Sequence, residues 1–449
     1  MSDTTGRRLS FIICFIIYIL ANIGLALQTN YAALLILRMV QAAGCSAAIA
    51  LTNAVVADIA TSAERGKYMG YATAGLLFGP AFGPTIGGVL AQYLGWRSIF
   101  WFLAIFTVVL LVVFVIFFPE TCRNVVGNGS IPPKGVNMSL LGYLQQRRHA
   151  RDTQSVHDDH SSIQLRKKRR WNCPNPLDAL KLLGEKESCI LLLYNGFFFT
   201  ALMTLTATIP HLYEVTYNYD TLQIGLCYIS MGVGSLTSTL TTGHVVDWNF
   251  RRHAKRLGLI IKKGKQQDLE NFPIEVVRFQ VVIPGHIIGI LGLIMYGWTV
   301  DFATNLAGPE IAIFLIGFGV STVFNLTNTL LIDLHRDKPA TATAAVNFVR
   351  CLMSAAGAAA IIPMCDAMTT GWAFTFLGLV YTALLPAAFI IMKKGQSWRE
   401  AGNAKKKLKQ EAKDAAVREE DVETQSEDVE RISARAKEDD LSSKKSDHT

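Results

Sequence analysis

Long runs without charge alternate with short polar segments along most of the chain. Residues 9–27 and 99–118, for example, contain no charged side chain. A run of about 20 apolar residues is long enough to cross the hydrocarbon core of a bilayer as a helix. The pattern therefore predicts an all-α polytopic membrane protein with ten spans, four before a long polar segment and six after it. The predicted spans are 9–28, 31–57, 68–92, 99–118, 189–212, 221–243, 279–300, 309–332, 340–364 and 372–392.

These spans divide the chain into four predicted regions. They are a first transmembrane half at 1–118, a cytoplasmic central loop at 119–188, a second transmembrane half at 189–392 and a charged cytoplasmic tail at 393–449. The tail mixes acidic and basic residues and has few aromatic ones, which is typical of a disordered segment.

Composition agrees with a membrane protein and excludes several other classes. Of the 449 residues, 51% are hydrophobic and 17% are charged, whereas soluble chains carry about a quarter charged residues. The eight cysteines are scattered, and several lie in apolar runs, which excludes a secreted disulfide framework. The sequence has no phosphate-binding loop of the nucleotide type, so an ion gradient rather than ATP is expected to supply energy. We expect no enzyme activity, no cofactor and no metal site.

The net charge of +8 is placed on one side of the predicted membrane. If the N-terminus is cytoplasmic, Arg97 is the one basic residue on the outer loops, and Arg38 and Arg350 lie within spans. The other 40 of the 43 lysines and arginines fall on the cytoplasmic side. This asymmetry predicts that both termini are cytoplasmic and that the basic excess meets anionic lipid, and it disfavours a nucleic-acid partner.

An internal repeat relates the two halves. Asp58 and Asp333 each end a span, and a Gly-Trp pair follows each of them after 37–39 residues. A second pair of motifs has equal spacing, Asp3 with Arg7 and Arg8, and Asp247 with Arg251 and Arg252. The second half has two spans before its motif, whereas the first half begins at its own. We therefore expect two spans to be missing before residue 1, and a genuine ten-span protein is the alternative.

Several segments resemble the major facilitator superfamily. Residues 3–8 are similar to the end of its cytoplasmic signature between spans two and three. Arg38, Gln41 and Gly44 resemble its fourth-span pattern, with Ala42 in place of the usual glycine. Residues 75–88 resemble the fifth-span signature of drug:proton antiporters. Three further segments resemble the fungal quinidine-resistance and dityrosine-transporter branch of those antiporters, namely 57–67, 118–121 and 340–351.

The resemblance implies a monomeric, proton-coupled exporter of drugs or small amphipathic metabolites in a fungal plasma membrane. Its partners would be a small-molecule substrate, protons and membrane lipid. A facilitator for small solutes is one alternative. A non-transporting remnant that acts as an interaction protein is another.

The fifth-span signature predicts close helix packing, because small residues spaced by four let another backbone approach. Its candidate residues are Gly75, Gly79, Pro80, Gly83, Pro84, Gly87 and Gly88. The resemblance implies a tight contact between the halves that favours antiport, and ordinary packing is the alternative.

Charged residues at the predicted cytoplasmic helix ends form a candidate gate. They are Asp3, Gly6, Arg7, Arg8, Asp58, Asp247, Arg251, Arg252 and Asp333. We expect Asp58 to pair with Arg7 or Arg8, and the second half to hold a matching cluster. The alternative is that these charges serve orientation alone.

Polar residues inside the spans are candidates for proton coupling and substrate binding. They are Arg38, Gln41, Asn195, His286, Asn325, Asn347 and Arg350. A cation in the bilayer is costly and is treated as functional, and the resemblance makes Arg38 the first candidate for coupling. The alternative for Arg350 is a structural role, in which it holds a cluster of backbone carbonyls. The alternative for His286 is a hydrogen-bonded packing role.

Substrate is expected to bind near the midplane between the halves. Tyr194, Phe197 and Phe198 are candidate lining residues, suited to amphipathic or aromatic cations. Core packing explains these three aromatic residues equally well.

Overall fold

A computed structural model describes residues 6–59, 79, 82–122, 126, 138–139, 182–256, 258, 272–335 and 339–400. Within these ranges all regular secondary structure is helical. The longer helices, numbered in chain order, are α1 Arg7–Leu27, α2 Tyr31–Ile59, α3 at 82–94, α4 Arg97–Phe117, α5 Lys186–Tyr217, α6 Thr221–Arg256, α7 Ile274–Asp301, α8 Ala307–Leu334, α9 Pro339–Met368, α10 Thr370–Thr382 and α11 at 385–400. A short 3-10 helix, Leu182–Gly184, precedes α5.

Eight helical segments of the described chain are long and apolar enough to cross a membrane. They are Arg7–Leu27, Arg97–Phe117, Lys186–Tyr217, Thr221–Arg256, Ile274–Asp301, Ala307–Leu331, Ala342–Met368 and Thr370–Glu400. Two other predicted spans correspond to α2, whose apolar part is Tyr31–Ser46, and to the region of α3. The all-α polytopic architecture is confirmed, and the division into four and six spans stays a prediction.

The chain forms two compact units, Met1–Lys393 and Lys394–Thr449. The first contains the membrane helices described below. In the second, residues 394–400 are described and are helical. The central loop at 119–188 lies mostly outside the described residues, and the tail beyond residue 400 lies wholly outside them.

The second half has one continuous apolar core. Helix α7 packs against α8 and α10, α5 packs against α9, and α6 packs against α8. Leu205, Ile209 and Val282 are among its fully buried side chains. In the first half, α1 packs against both α2 and α4, with Leu25 and Phe100 buried at the contact.

The described parts of the two halves contact each other through the following helices. Helix α2 contacts α9, and α3 lies against the start of α6. Large apolar side chains remain exposed on the helix surfaces, such as Ile105 on α4 and Leu291 on α7. This is the surface expected of a protein whose solvent is lipid.

Candidate functional site

An ion pair joins the first two helices of the first half. The Nε atom of Arg7 lies 3.0 Å from Oδ2 of Asp58, and the two side chains are 10% and 14% exposed. Arg7 begins α1 and Asp58 ends α2, so the pair fixes those two helix ends together. Both partners belong to the first half, so this contact fixes the shape of the half rather than crossing between halves. Asp3, which was expected to join this cluster, lies outside the described residues.

The carboxylate of Glu120 caps the start of α1. It accepts hydrogen bonds from the backbone N–H groups of Arg7 at 2.8 Å and Arg8 at 3.2 Å. The preceding residue, Gly6, has φ 109°, a conformation that favours glycine. The guanidinium of Arg8 donates to the carbonyls of Val115 and Phe118, at the end of α4. Glu120 thus ties α1 to α4, because a carboxylate stabilises the exposed N–H groups of a helix N-terminus.

In the second half, the structure does not bring the residues of the predicted cluster together. Asp333 pairs with Arg278 on α7. Asp247, Arg251 and Arg252 are exposed on α6, and the guanidinium of Arg252 lies over the ring of Trp248. The reason is that α6 continues unbroken to Arg256, so its charged motif does not lie at the start of the next helix.

The two halves nevertheless use equivalent helices for their ion pairs. In each half, an arginine near the start of one helix meets an aspartate near the end of the next helix. The pairs are Arg7 with Asp58 and Arg278 with Asp333. The spacing of the internal sequence repeat identifies both aspartates, but it does not identify Arg278.

The fifth-span signature contacts the other half through a different face from the one expected. A Cβ on Gly88 would lie 2.8 Å from the carbonyl oxygen of Thr221. Thr85 donates a 2.9 Å hydrogen bond to the carbonyl of Gly225, and a Cβ on Gly225 would lie 2.8 Å from the carbonyl oxygen of Pro84. Helices α3 and α6 therefore meet backbone to backbone. We call residues 84, 85, 88, 221 and 225 the α3–α6 seam.

The expected glycine face takes little part in this seam. Gly79 and Gly83 have no described atom within 4 Å of an added Cβ, and Gly87 has only a side-chain atom of Ile99 at 3.9 Å. The spacing of four is correct, but it is the set 84 and 88, rather than 79, 83 and 87, that faces α6. Gly75 and Pro80 lie outside the described residues.

A polar chain surrounds Arg38 in the first half. Its guanidinium donates to Gln41 at 3.0 Å, and Gln41 donates to Asn22 of α1 at 2.7 Å. Asn22 is fully buried and Gln41 nearly so, whereas Arg38 is exposed. The guanidinium carbon of Arg38 also lies 4.9 Å from the ring centre of Phe100. Arg38 and Gln41 are therefore brought together, with Asn22 as a partner that the motif does not contain.

Arg350 lies between two phenylalanine rings. Its guanidinium carbon is 4.4 Å from the ring centre of Phe199 on α5 and 5.5 Å from that of Phe324 on α8. Among the described residues it has no ion pair or hydrogen bond through its side chain, and its Nε atom is buried. The proposed arrangement with backbone carbonyls is not what the described residues provide.

Three asparagines lie near this level of the helices. Asn195 is 2% exposed and donates to Thr327 at 2.8 Å and to the carbonyl of Phe324 at 3.2 Å. Asn325 and Asn347 are partly buried, and their side chains have no hydrogen bond within the described part of the chain. Asn195 thus fixes the α5–α8 contact, while Asn347 lies one turn before Arg350 on α9.

His286 fills a packing position in the core. It is fully buried, and its ring nitrogens meet the hydroxyl of Tyr194 at 2.5 Å and the carbonyl of Tyr381 at 3.0 Å. Tyr194 and Phe198 are 1% and 2% exposed on the same face of α5. This geometry favours the packing alternative for all three residues. The aromatic side chains that contact Arg350 are instead those of Phe199 on α5 and Phe324 on α8.

Glu310 supplies a carboxyl group inside the second half. It accepts hydrogen bonds from Ser230 on α6 at 2.5 Å and from Tyr213 on α5 at 3.3 Å. Glu310 is partly buried, and no arginine, lysine or histidine pairs with it in the described ranges. Glu310 lies near the start of α8, and its two hydroxyl donors come from distant parts of the sequence.

The described residues contain no group of three or more histidine, cysteine or acidic side chains placed to hold a metal ion. The arrangement is that of polar and charged side chains joining helices, with one arginine held between aromatic rings. Such a set of side chains can bind and orient a small molecule and can pass a proton.

Comparison with known proteins gives a family match over most of the chain. The sequence profile of the Major Facilitator Superfamily matches residues 1–358. A relative from a fungal species, the "MFS-type transporter phiD", is 41% identical over 416 residues. The alignment covers 93% of this chain and 62% of phiD, so the chain spans less than two thirds of that relative's length.

A second relative and a solved structure extend the comparison. "Citrate exporter 1" of Aspergillus niger is 32% identical, with 91% of this chain and 77% of that protein covered. The crystal structure of a D-xylose-proton symporter shares the fold with a TM-score of 0.58 and 15% identity, over 87% of this chain and 81% of the other. The relatives are named as transporters rather than enzymes.

Proposed function

The chain belongs to the major facilitator superfamily and is an integral membrane protein, and from this premise we propose that it is a secondary transporter. It exports drugs or small amphipathic metabolites in exchange for protons, by alternating access of two halves. The observation that supports the proposal most is that equivalent helices of the two halves are joined by ion pairs, Arg7 with Asp58 and Arg278 with Asp333.

The ion pairs support movement of the halves as rigid bodies. Each pair joins neighbouring helices within one half at the predicted cytoplasmic side. Alternating access in repeat-built carriers is largely rocking of one half against the other about a central site. A half can rock as a unit only if its helix ends stay fixed, and these pairs hold them. The α3–α6 seam is then the surface along which the halves close.

The proton needs a group that can gain and lose it within the membrane. An arginine stays protonated in proteins, so Arg38 can hold or tune a coupling site but cannot carry the proton itself. Glu310 can carry it. Its hydroxyl partners Ser230 and Tyr213 donate to the ionised carboxylate, and they can rotate to accept once the carboxyl is protonated. We assign Glu310 as the proton carrier and Arg38, with Gln41 and Asn22, as the coupling cluster of the first half.

The proposal is tested in proteoliposomes that contain the purified full-length chain. Two xanthene dyes serve as probes, cationic rhodamine 123 and anionic carboxyfluorescein. An imposed pH gradient is expected to accelerate the flux of at least one dye, and collapsing that gradient with nigericin should remove the acceleration.

Two other outcomes would overturn the proposal in different ways. Dye flux that does not respond to the pH gradient would show a facilitator. No flux of either dye, with protein that is monodisperse and helical, would favour an interaction protein over a transporter.

A further inference from the structure

Arg350 places a permanent positive charge deep in a membrane helix. It is the twelfth of the 30 residues of α9, about 17 Å from the start of that helix. A cation at this depth is costly unless something compensates it. What surrounds Arg350 therefore indicates what it is for.

The immediate surroundings are aromatic and leave the hydrogen-bond donors of the guanidinium unused. Phe199 and Phe324 approach the guanidinium carbon to 4.4 Å and 5.5 Å, and their own ring centres are 5.6 Å apart. A ring beneath a guanidinium stabilises the cation through its π face without using any N–H donor. The rings thus hold the guanidinium in place while its donors remain for another partner.

That partner is not among the described residues of the protein. The ion pairs found there are Arg7 with Asp58, Arg278 with Asp333 and His335 with Glu185. None of them involves Arg350. The guanidinium is the one charge at this level of α5, α8 and α9 in the described chain, and it has no acidic group to balance it.

Other polar atoms beside Arg350 are also unused. Ser354, one turn further along α9, is 6% exposed, and its hydroxyl has no hydrogen-bond partner among the described residues. The Oδ1 atom of Asn195 is buried without a partner, although its Nδ2 atom donates to Thr327. Unpaired polar atoms in a buried site are costly, and a polar ligand would satisfy them.

We propose that Arg350 is the binding site for a carboxylate on the exported molecule, so that the substrates are amphipathic acids rather than cations. The guanidinium forms a two-point contact with the planar carboxylate, the hydroxyl of Ser354 donates to it, and the apolar part of the substrate lies against the rings of Phe199 and Phe324. A carboxylate matches the fork of an arginine in shape and charge. This proposal differs from the expectation of cationic substrates, because the described site offers a cation no opposite charge. The inference rests on the proposed export function and names its substrate class.

The test is a binding measurement on the purified full-length chain in nanodiscs, which needs no transport. Carboxyfluorescein and rhodamine 123 share a ring system and differ in charge, and their binding is followed by fluorescence anisotropy. Wild-type protein is expected to prefer carboxyfluorescein. Arg350→Gln should weaken its binding roughly 10- to 100-fold, the cost of losing a charge-assisted contact, with little effect on rhodamine 123. Arg350→Lys should restore part of the affinity, because the charge remains and the fork is lost.

Arg97→Gln is the matched control. Arg97 also lies over an aromatic ring, 5.1 Å from the centre of Trp96, but it is exposed at the predicted outer side. The Arg97→Gln substitution should leave the affinity of the protein for both dyes unchanged. Competition on the wild-type protein avoids any folding defect of a variant, since decanoate should displace carboxyfluorescein whereas decylamine should not.

Two results would overturn the proposal. One is tighter binding of rhodamine 123 than of carboxyfluorescein by the wild type, and the other is an Arg350→Gln affinity within twofold of the wild type. Either result would leave proton-coupled export intact if the pH gradient still drives dye flux. Carboxylate binding without any gradient-driven flux would instead retain this site and remove the proposed function.

Discussion

Replacing Gly88 with alanine should loosen the α3–α6 seam. The added Cβ would lie 2.8 Å from the carbonyl oxygen of Thr221 and 3.3 Å from the Cα atom of Gly225, so the helices must separate by a few tenths of an ångström. Overpacking of this kind costs about 1–3 kcal/mol. Alanine in a helix recovers about 0.5–1 kcal/mol relative to glycine. The net expectation is a loss of about 0–2.5 kcal/mol of stability.

Gly83→Ala is the matched control for this prediction. It lies in the same helix and the same signature, but an added Cβ has no described atom within 4 Å. It should gain about 0.5–1 kcal/mol from helix propensity alone. The two variants should therefore differ by about 1–3 kcal/mol, the overpacking term by itself.

The comparison uses unfolding of the purified protein in mixed micelles of mild detergent and sodium dodecyl sulfate. Gradient-driven dye flux is measured on the same preparations, and Gly88→Ala should reduce it because the seam no longer closes fully. Equal stability of the two variants would refute the argument. Greater damage from Gly83→Ala would show that the face expected from the glycine spacing is the contact face.

Three further predictions concern the charged groups. Asp58→Asn should reduce dye flux but not membrane insertion, because it breaks the ion pair with Arg7. The control is Asp247→Asn, which changes an exposed residue and should leave dye flux unchanged. Equal effects of the two substitutions on dye flux would contradict the assignment of Asp58. Arg38→Ala should uncouple dye flux from the pH gradient, and normal gradient-driven efflux in that variant would reject its coupling role. Glu310→Gln should permit dye exchange without proton movement, and a lumenal pH response equal to that of the wild type would remove Glu310 as the proton carrier.

The fold is well predicted from the sequence, because each membrane helix is specified by one long stretch of consecutive apolar residues. An apolar stretch that must satisfy its own backbone hydrogen bonds becomes a helix with little dependence on distant residues. The helix Arg97–Phe117 begins two residues before the predicted span 99–118. Boundaries fail where polar residues continue a helix past the membrane, as in α6, which runs to Arg256 rather than ending at 243.

The candidate site is less predictable, because its contacts join distant residues. Spacing motifs identify Asp58 and Asp333, yet the partner Arg278 depends on where α7 begins after a long connection. Glu120 lies in the segment 118–121 that resembles the family. Its capping of α1 depends on the end of α4 lying next to the start of that helix, which the sequence does not reveal. The side chains around Arg350 come from three helices, so periodicity within α5 could not decide between Tyr194 and Phe199 as the functional aromatic.

The central claim is that substrate and proton movements are coupled, and a reversed gradient tests it most directly. Proteoliposomes are loaded with carboxyfluorescein and a spectrally separate pH dye, with no pH difference, and with potassium and valinomycin to clamp the voltage. After dilution, the outward dye gradient is predicted to drive protons inward, so that the lumen acidifies in the presence of the protein and not in protein-free vesicles. Protein-dependent loss of dye with no change in lumenal pH would contradict the account.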